Sequence, residues 1–317
     1  MKKFFKKLFS LTALFSVLLF LLNKFIHALA TVKNLLRSDD GSFYEWKYGN
    51  IYYQKEGSGP ALLLVHDLRC DSSSYDFSRL VRPLSEHYTV YTLDLLGCGR
   101  SDRPNLTYTN FLYVQLLECF IRDVIKQPVI VASAGQSVPF ALLASRCSDL
   151  ITEEIFINPQ SFRDQSRYPD KNSKLVRLAI SLPVFGTAYY NFQFCYQKIL
   201  GFARETYFAS HGDMSAQYIN TCYESAHLMK SSGRFLYASL ASGYTNMNIA
   251  PMVSSSKIPL HLIVGKEAQN AGVVLEQFKQ LNNSIDSCIL PYAKQIPQFE
   301  RPDQTAKAFF KLLQVSE

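Results

Sequence analysis

Apolar and polar positions follow three regimes along this chain. Residues 8–22 are apolar except for two Ser and one Thr, and after Asn23 and Lys24 the apolar character resumes to Ala30. As a helix, residues 8–30 reach about 34 Å at 1.5 Å per residue, enough to cross a bilayer. A second regime begins at residue 43. Residues 43–48 and 51–56 alternate as a hairpin, with its turn expected at Gly49 and Asn50. Residues 61–65, 88–93, 129–132 and 155–158 are short apolar runs of the kind that form strands buried on both faces. Helical spacing over 72–84, 109–125 and 137–145 separates them. The third regime, 160–257, holds helical and aromatic-rich segments at 182–194, 214–228 and 235–242, with no clear strand. Alternation then returns with strands at 260–264 and 288–290 and helices at 273–281 and 303–313. The expected class is α/β: a mainly parallel sheet with helices on both faces. The middle block is an insertion at the strand ends, where such sheets carry their sites.

Charge sharpens the organisation. Seven of the 33 basic residues and none of the 26 acidic ones fall within residues 1–37, so the rest is balanced at 26 of each. The net charge of +7 therefore marks the flanks of the apolar stretch, and nothing points to nucleic acid. We expect an N-terminal membrane anchor over 1–37, a polar linker at 38–41, a core over 38–159 and 258–317, and a helical cap over 160–257. A cleaved signal peptide competes for the N-terminus, since Ala28-Leu29-Ala30 offers an A-x-A-like site. Lys24 and His27 within it favour an uncleaved single-pass helix. The side of the membrane stays open. The seven cysteines are scattered and form no C-x-x-C pair, which suggests free thiols and no zinc site. No cofactor or metal is expected.

The candidate chemistry lies at residues 128–140, PVIVASAGQSVPF, a strand, a tight turn and a helix. Gly135 two residues before Ser137 permits a sharp bend that would expose the Ser hydroxyl. Ser137 would also serve as a plain helix cap.

Several motifs in order make the chain similar to the α/β-hydrolase family over roughly residues 42–315. His66-Asp67 stands where that family has His-Gly. DLLGCGRSDRP at 94–104 resembles its D-x-x-G-x-G-x-S-x-x-P loop, and QIPQFERP at 295–302 its H-x-P-x-x-E-x-P segment. The resemblance implies an eight-stranded α/β-hydrolase sheet with a helical cap. It also implies Ser137 as nucleophile, the amides of Leu68 and Val138 as oxyanion donors, and Glu267 as the acid, although the commonest spacing puts the acid at Ala268. Gln295 occupies the histidine's place. The sequence departs from the elbow pattern G-x-S-x-G: Gly135-Gln136-Ser137-Val138 ends in Pro139, and a register shifted by two residues leaves no nucleophile. The first register is preferred because it keeps a Gly at the turn.

Gln295 cannot accept a proton near neutral pH. His66, Asp67, Gln136 and His227 are further pocket candidates; His66 bracing the oxyanion loop and His227 satisfied within the cap are the plainer readings. Two functions follow. One is a membrane-anchored, esterase-like serine hydrolase of altered or reduced activity, acting on an apolar acyl substrate suggested by Tyr189, Tyr190, Phe192 and Phe194. The other is a catalytically inactive member binding an apolar ligand or a protein partner. A dehalogenase or epoxide hydrolase would need Asp at position 137.

Overall fold

The computed structural model describes residues 2–37 and 40–314. Ser38 and Asp39 of the expected linker lie outside the described residues. Eight strands form one sheet in the order β1-β2-β4-β3-β5-β6-β7-β8. They are β1 (Ser42–Trp46), β2 (Gly49–Glu56), β3 (Ala61–Val65), β4 (Thr89–Leu93), β5 (Val129–Ala134), β6 (Ile151–Ile157), β7 (Leu260–Gly265) and β8 (Asp286–Leu290). β1–β2 and β2–β4 pair antiparallel. From β4 to β8 every pair is parallel. β3 and β4 are buried at all five positions, which is why they read as unbroken apolar runs. One apolar cluster joins Leu63, Val131 and Phe140. A second joins Leu62, Ala132 and Phe309, so the sheet is covered on both faces.

Two local expectations change. The hairpin turns at Lys47 and Tyr48, with Gly49 already paired to Trp46. Gly49 has φ of 142° and packs against Asp102, so the Gly marks a close approach rather than the turn. Residues 72–84 do not make one helix; they split into a turn at Ser74–Phe77 and a short helix at Val81–Ser85. Polar capture explains the break. Asp94 accepts the Ser74 amide at 2.7 Å, Arg100 donates to the Ser74 hydroxyl at 2.6 Å, and Ser73 caps the turn.

The Gly-punctuated loop after β4 is built around a buried ion pair. Arg100 Nε meets Asp94 Oδ2 at 2.7 Å. Burial alone would raise the Asp94 carboxyl, but the charge and hydrogen bonds of Arg100 outweigh it and bring it down to about 2. Arg103 from the same loop donates to the carbonyls of Gly99 and Ser225 at 2.8 and 2.7 Å. The loop thereby latches the helices between β6 and β7, which include Ser173–Ser181, Phe185–Gln193, Ala216–Ser231 and Arg234–Ala241.

The N-terminal helix runs unbroken over Lys2–Thr31. Its polar groups in the apolar stretch are satisfied internally: the hydroxyls of Ser10, Thr12 and Ser16 each donate to the carbonyl four residues back at 2.9 Å. The helix is long and apolar enough to cross a membrane, and most of it is exposed. Its burial against the cap is concentrated in its last turns, at Asn23 and Ala30.

Candidate functional site

The elbow sits between β5 and the helix Val138–Cys147. Its strained residue is Gly135, with φ of 55°. Ser137 lies two residues on in ordinary right-handed geometry, φ −81° and ψ −21°. A nucleophile elbow presents its reactive side chain from the strained residue, because that conformation aims Cβ out of the sheet. The shifted register is therefore the one the backbone adopts: Ser133-Ala134-Gly135-Gln136-Ser137 overlies the motif, and Gly135 stands at the nucleophile's position. Ser137 is fully buried and its hydroxyl donates to the His66 carbonyl. It does not reach the cavity above the elbow.

That cavity has a volume of about 290 Å³ and is lined by Asp67, Arg69, Gly135, Gln136, Tyr207 and Gln295, among others. Asp67 fills the position over the elbow. A Cβ on Gly135 would stand 2.5 Å from the Asp67 carboxylate. The Gln136 amide donates to Asp67 Oδ1 at 2.7 Å. Asp67 keeps part of its surface open to the cavity, yet protein atoms crowd its carboxylate. This desolvation pushes its pKa up, opposed by the charge of Arg69 and by the Gln136 and Leu68 amides. The two amides facing this carboxylate are thus those of Gln136 and Leu68. The Val138 amide, expected as the second donor, instead returns to the Gly135 carbonyl as part of the turn.

His66 is buried beneath the cavity. Its Nε2 accepts the Leu95 amide at 3.0 Å, so Nδ1 carries the proton and donates to the Asp67 carbonyl at 2.7 Å. Burial lowers its pKa, which keeps the ring neutral and bracing. Glu267 is exposed, and its carboxylate accepts the Ala293 amide at 2.9 Å rather than facing the elbow. Gln295 does line the cavity, and its Nε2 donates to the Asn158 carbonyl at 2.9 Å. His227 lies away from the cavity, donating through Nδ1 to the Tyr223 carbonyl at 2.8 Å; burial pushes its pKa down to about 4.

Nor do the expected aromatics line it. Tyr190 is buried in the cap with Phe194 at 4.7 Å, while Tyr189 and Phe192 are exposed. Phe202 and Tyr207 do, and the Arg69 guanidinium stacks 3.9 Å above the Phe202 ring. The walls are otherwise mostly polar: Gln160, Ser161, Asp164, Thr206, Gln269 and Asn270.

Like Arg69, Phe202 and Tyr207, Asn158 is not marked by any of the sequence motifs. Asn158 directly follows β6 with φ of 42°. Its side chain donates to the carbonyls of Lys294 and Gln295 at 2.7 and 3.0 Å and accepts the Gly265 amide at 2.9 Å. It ties the ends of β6 and β7 to the loop that carries Gln295. An Asn-Pro pair closing a buried apolar run was the available signal.

A family model described as "Alpha/beta hydrolase family" matches residues 62–308. The chain belongs to the alpha/beta hydrolase family. Among solved structures, this family member resembles a serine hydrolase involved in carbazole degradation, with TM-score 0.71 and 16% identity over 87% of this chain and 99% of that one. It also resembles a membrane phospholipase A described as a bacterial virulence factor, with TM-score 0.67 and 20% identity over 99% and 98% of the two chains. A carboxylesterase from Bacillus subtilis gives TM-score 0.66 and 12% identity over 94% and 99%. At these identities the likeness is one of fold. An uncharacterised protein of Mycobacterium tuberculosis is 39% identical over 57 residues, and the match spans only 18% of this chain and 16% of the relative.

Proposed function

We propose that this chain is a membrane-anchored alpha/beta hydrolase family protein that binds a small polar ligand at the elbow cavity without hydrolysing it. The observation that carries this reading is the Asp67 carboxylate, which takes the Gln136 amide at 2.7 Å directly over Gly135. That amide follows the strained residue of the turn and is the donor an acyl-transfer enzyme reserves for the oxyanion. With that amide already engaged by Asp67, it is not free to receive an oxyanion. Gly135 supplies no nucleophile, and Gln295 supplies no base. The polar lining and modest volume favour a small hydrogen-bonding ligand over a long acyl chain. The apolar N-terminal helix supports membrane anchoring.

The test uses the full-length chain in detergent with a fluorophosphonate probe. We expect the same absence of labelling in the wild type and in Ser137→Ala. Labelling of the wild type that disappears in Ser137→Ala would overturn the reading and restore a serine hydrolase. Labelling that arises only when Gly135→Ser, Asp67→Gly and Gln295→His are combined supports it, since the fold then lacks only the reacting groups.

A further inference from the structure

We propose that a second cavity, at the joint between the N-terminal helix and the cap, binds the phosphate-bearing headgroup of an anionic phospholipid. The inference rests on the membrane-anchoring reading of that helix and is independent of the elbow cavity. The joint cavity has a volume of about 620 Å³. Lys24 and His27 of the helix line it on one side, and Lys230 and Arg234 of the cap on the other; Phe20 and Pro183 add apolar lining. Three fixed cations converge with no Asp or Glu among the lining residues.

The cap residues are held there at a conformational cost. The helix Ala216–Ser231 leaves right-handed geometry at Leu228, and Met229, Lys230 and Ser231 follow with φ of 51°, 59° and 58°. Left-handed geometry costs a non-Gly residue roughly 1–2 kcal/mol, so three in succession persist only where the surroundings require them. This turn brings Lys230 to the cavity beside the docked helix. Arg234 is half-buried and its guanidinium stacks 4.2 Å from the Phe235 ring; among the described residues its Nε has no hydrogen-bond partner, and Nη1 makes a 3.5 Å contact to the Ser231 carbonyl. A bound phosphate would satisfy both Arg234 and Lys230.

Depth supplies the choice of ligand. Residues 8–22 of the helix are largely exposed and apolar, about 22 Å at 1.5 Å per residue and most of the thickness of a hydrocarbon core, with Lys6 and Lys7 before them as a basic flank. Asn23 is buried and fixed to the cap: it donates to the Val184 carbonyl at 3.1 Å and accepts from Asn191 at 3.0 Å. Lys24 therefore stands at the boundary where headgroups lie. The cap edge dips below that boundary. Phe185 packs 6.5 Å from Phe15, eight residues or about 12 Å deeper than Asn23. Leu175, Leu178, Leu182 and Phe192 extend the exposed apolar rim around it. Such a rim carries the cap into the acyl boundary and leaves the basic cavity facing phosphates.

The experiment is native mass spectrometry and thermal melting of the full-length chain in detergent. Phosphatidylglycerol, phosphatidylcholine and inorganic phosphate are added separately. We expect the wild type to retain phosphatidylglycerol at least tenfold more than phosphatidylcholine, and to be shifted in melting temperature by the lipid but not by inorganic phosphate. Lys24→Gln/Lys230→Gln/Arg234→Gln should lose that preference, as should the single change Lys230→Glu at an exposed side chain. Lys257→Gln, outside the cavity, should keep it. Equal retention of the two lipids, or a preference unchanged in the triple and single variants, would overturn the proposal. An equal response to inorganic phosphate would reassign the cavity to a soluble anion and equally overturn the lipid site. Resistance of the chain to carbonate extraction is read separately, so that failure of the anchor and failure of the headgroup site are told apart.

Discussion

Two carboxylates show how burial is handled differently at single positions. Asp67 meets amides and a guanidinium, which oppose the rise in its pKa that burial causes. Glu154 on β6 has no such help. It is fully buried, and neither of its oxygens has a partner among the described residues. Burial raises its pKa to about 8, only slightly opposed by nearby Ser145. The sign follows from linkage. The folded-state pKa lies above the unfolded value, so the protonated form's contribution is fully present below about pH 4.5 and is lost as pH rises towards 8. Glu154→Gln removes that titration. We expect its stability relative to the wild type to improve with pH between 5 and 8, by up to about 1.4 kcal/mol per pH unit. Urea unfolding at pH 5, 6.5 and 8 measures it, and a difference that stays flat across that range would show that Glu154 is not protonated in the folded chain.

At the scale of elements, the elbow is a strand, a left-handed Gly and a helix, and its geometry depends on what stands above it. Gly135→Ala introduces a Cβ into left-handed backbone, at a cost of roughly 1–2 kcal/mol, and drives it against Asp67. The clash displaces the carboxylate from the Gln136 amide, so the two positions are coupled. We expect Gly135→Ala to destabilise by about 2–4 kcal/mol alone. In an Asp67→Gly background the same change should cost about 1–2 kcal/mol less. A double-mutant cycle by denaturant unfolding measures the coupling, and additive costs would mean that Asp67 does not press on the elbow. This coupling also explains what was legible in the sequence. Strand runs such as 61–65 and 129–132 were plain because burial on both faces writes an unbroken apolar code. The elbow's existence was equally plain, but its register was not. Gly135-Gln136-Ser137 is the register the sequence favours, because it keeps a Gly at the turn, and only the backbone angle at Gly135 reverses that preference. Asp67 was visible as a departure from His-Gly, yet its seat over Gly135 depends on a contact between residues 68 positions apart. Helix 72–84 failed for a similar reason, because its Ser cluster is claimed by Asp94 and Arg100 from a distant loop.

At the scale of the whole molecule, the question is how firmly a helix exposed for most of its length is joined to the rest. The joint is polar. Beyond Asn23, His27 Nδ1 hydrogen-bonds the His227 carbonyl at 2.8 Å. Immediately after the helix the buried Glu224 carboxylate accepts the Leu35 and Leu36 amides at 2.8 and 3.1 Å. Arg100 then donates to the Leu36 carbonyl at 3.3 Å, which carries the connection on to the loop after β4. One cap carboxylate thus sets the direction in which the helix leaves the globular part. Glu224→Ala strands two amides, each at a cost of about 1–3 kcal/mol, without touching the sheet. We expect amide exchange at Leu35 and Leu36 to accelerate by roughly tenfold to a hundredfold, the exchange equivalent of about 1.4–2.7 kcal/mol of local opening. The strands β3 to β7 should keep their protection. Glu224→Gln, which retains one acceptor oxygen, should fall between the two. If Glu224→Ala leaves Leu35 and Leu36 as protected as in the wild type, the direction of the helix is set by its apolar contacts with the cap, and the polar joint is a consequence of that packing.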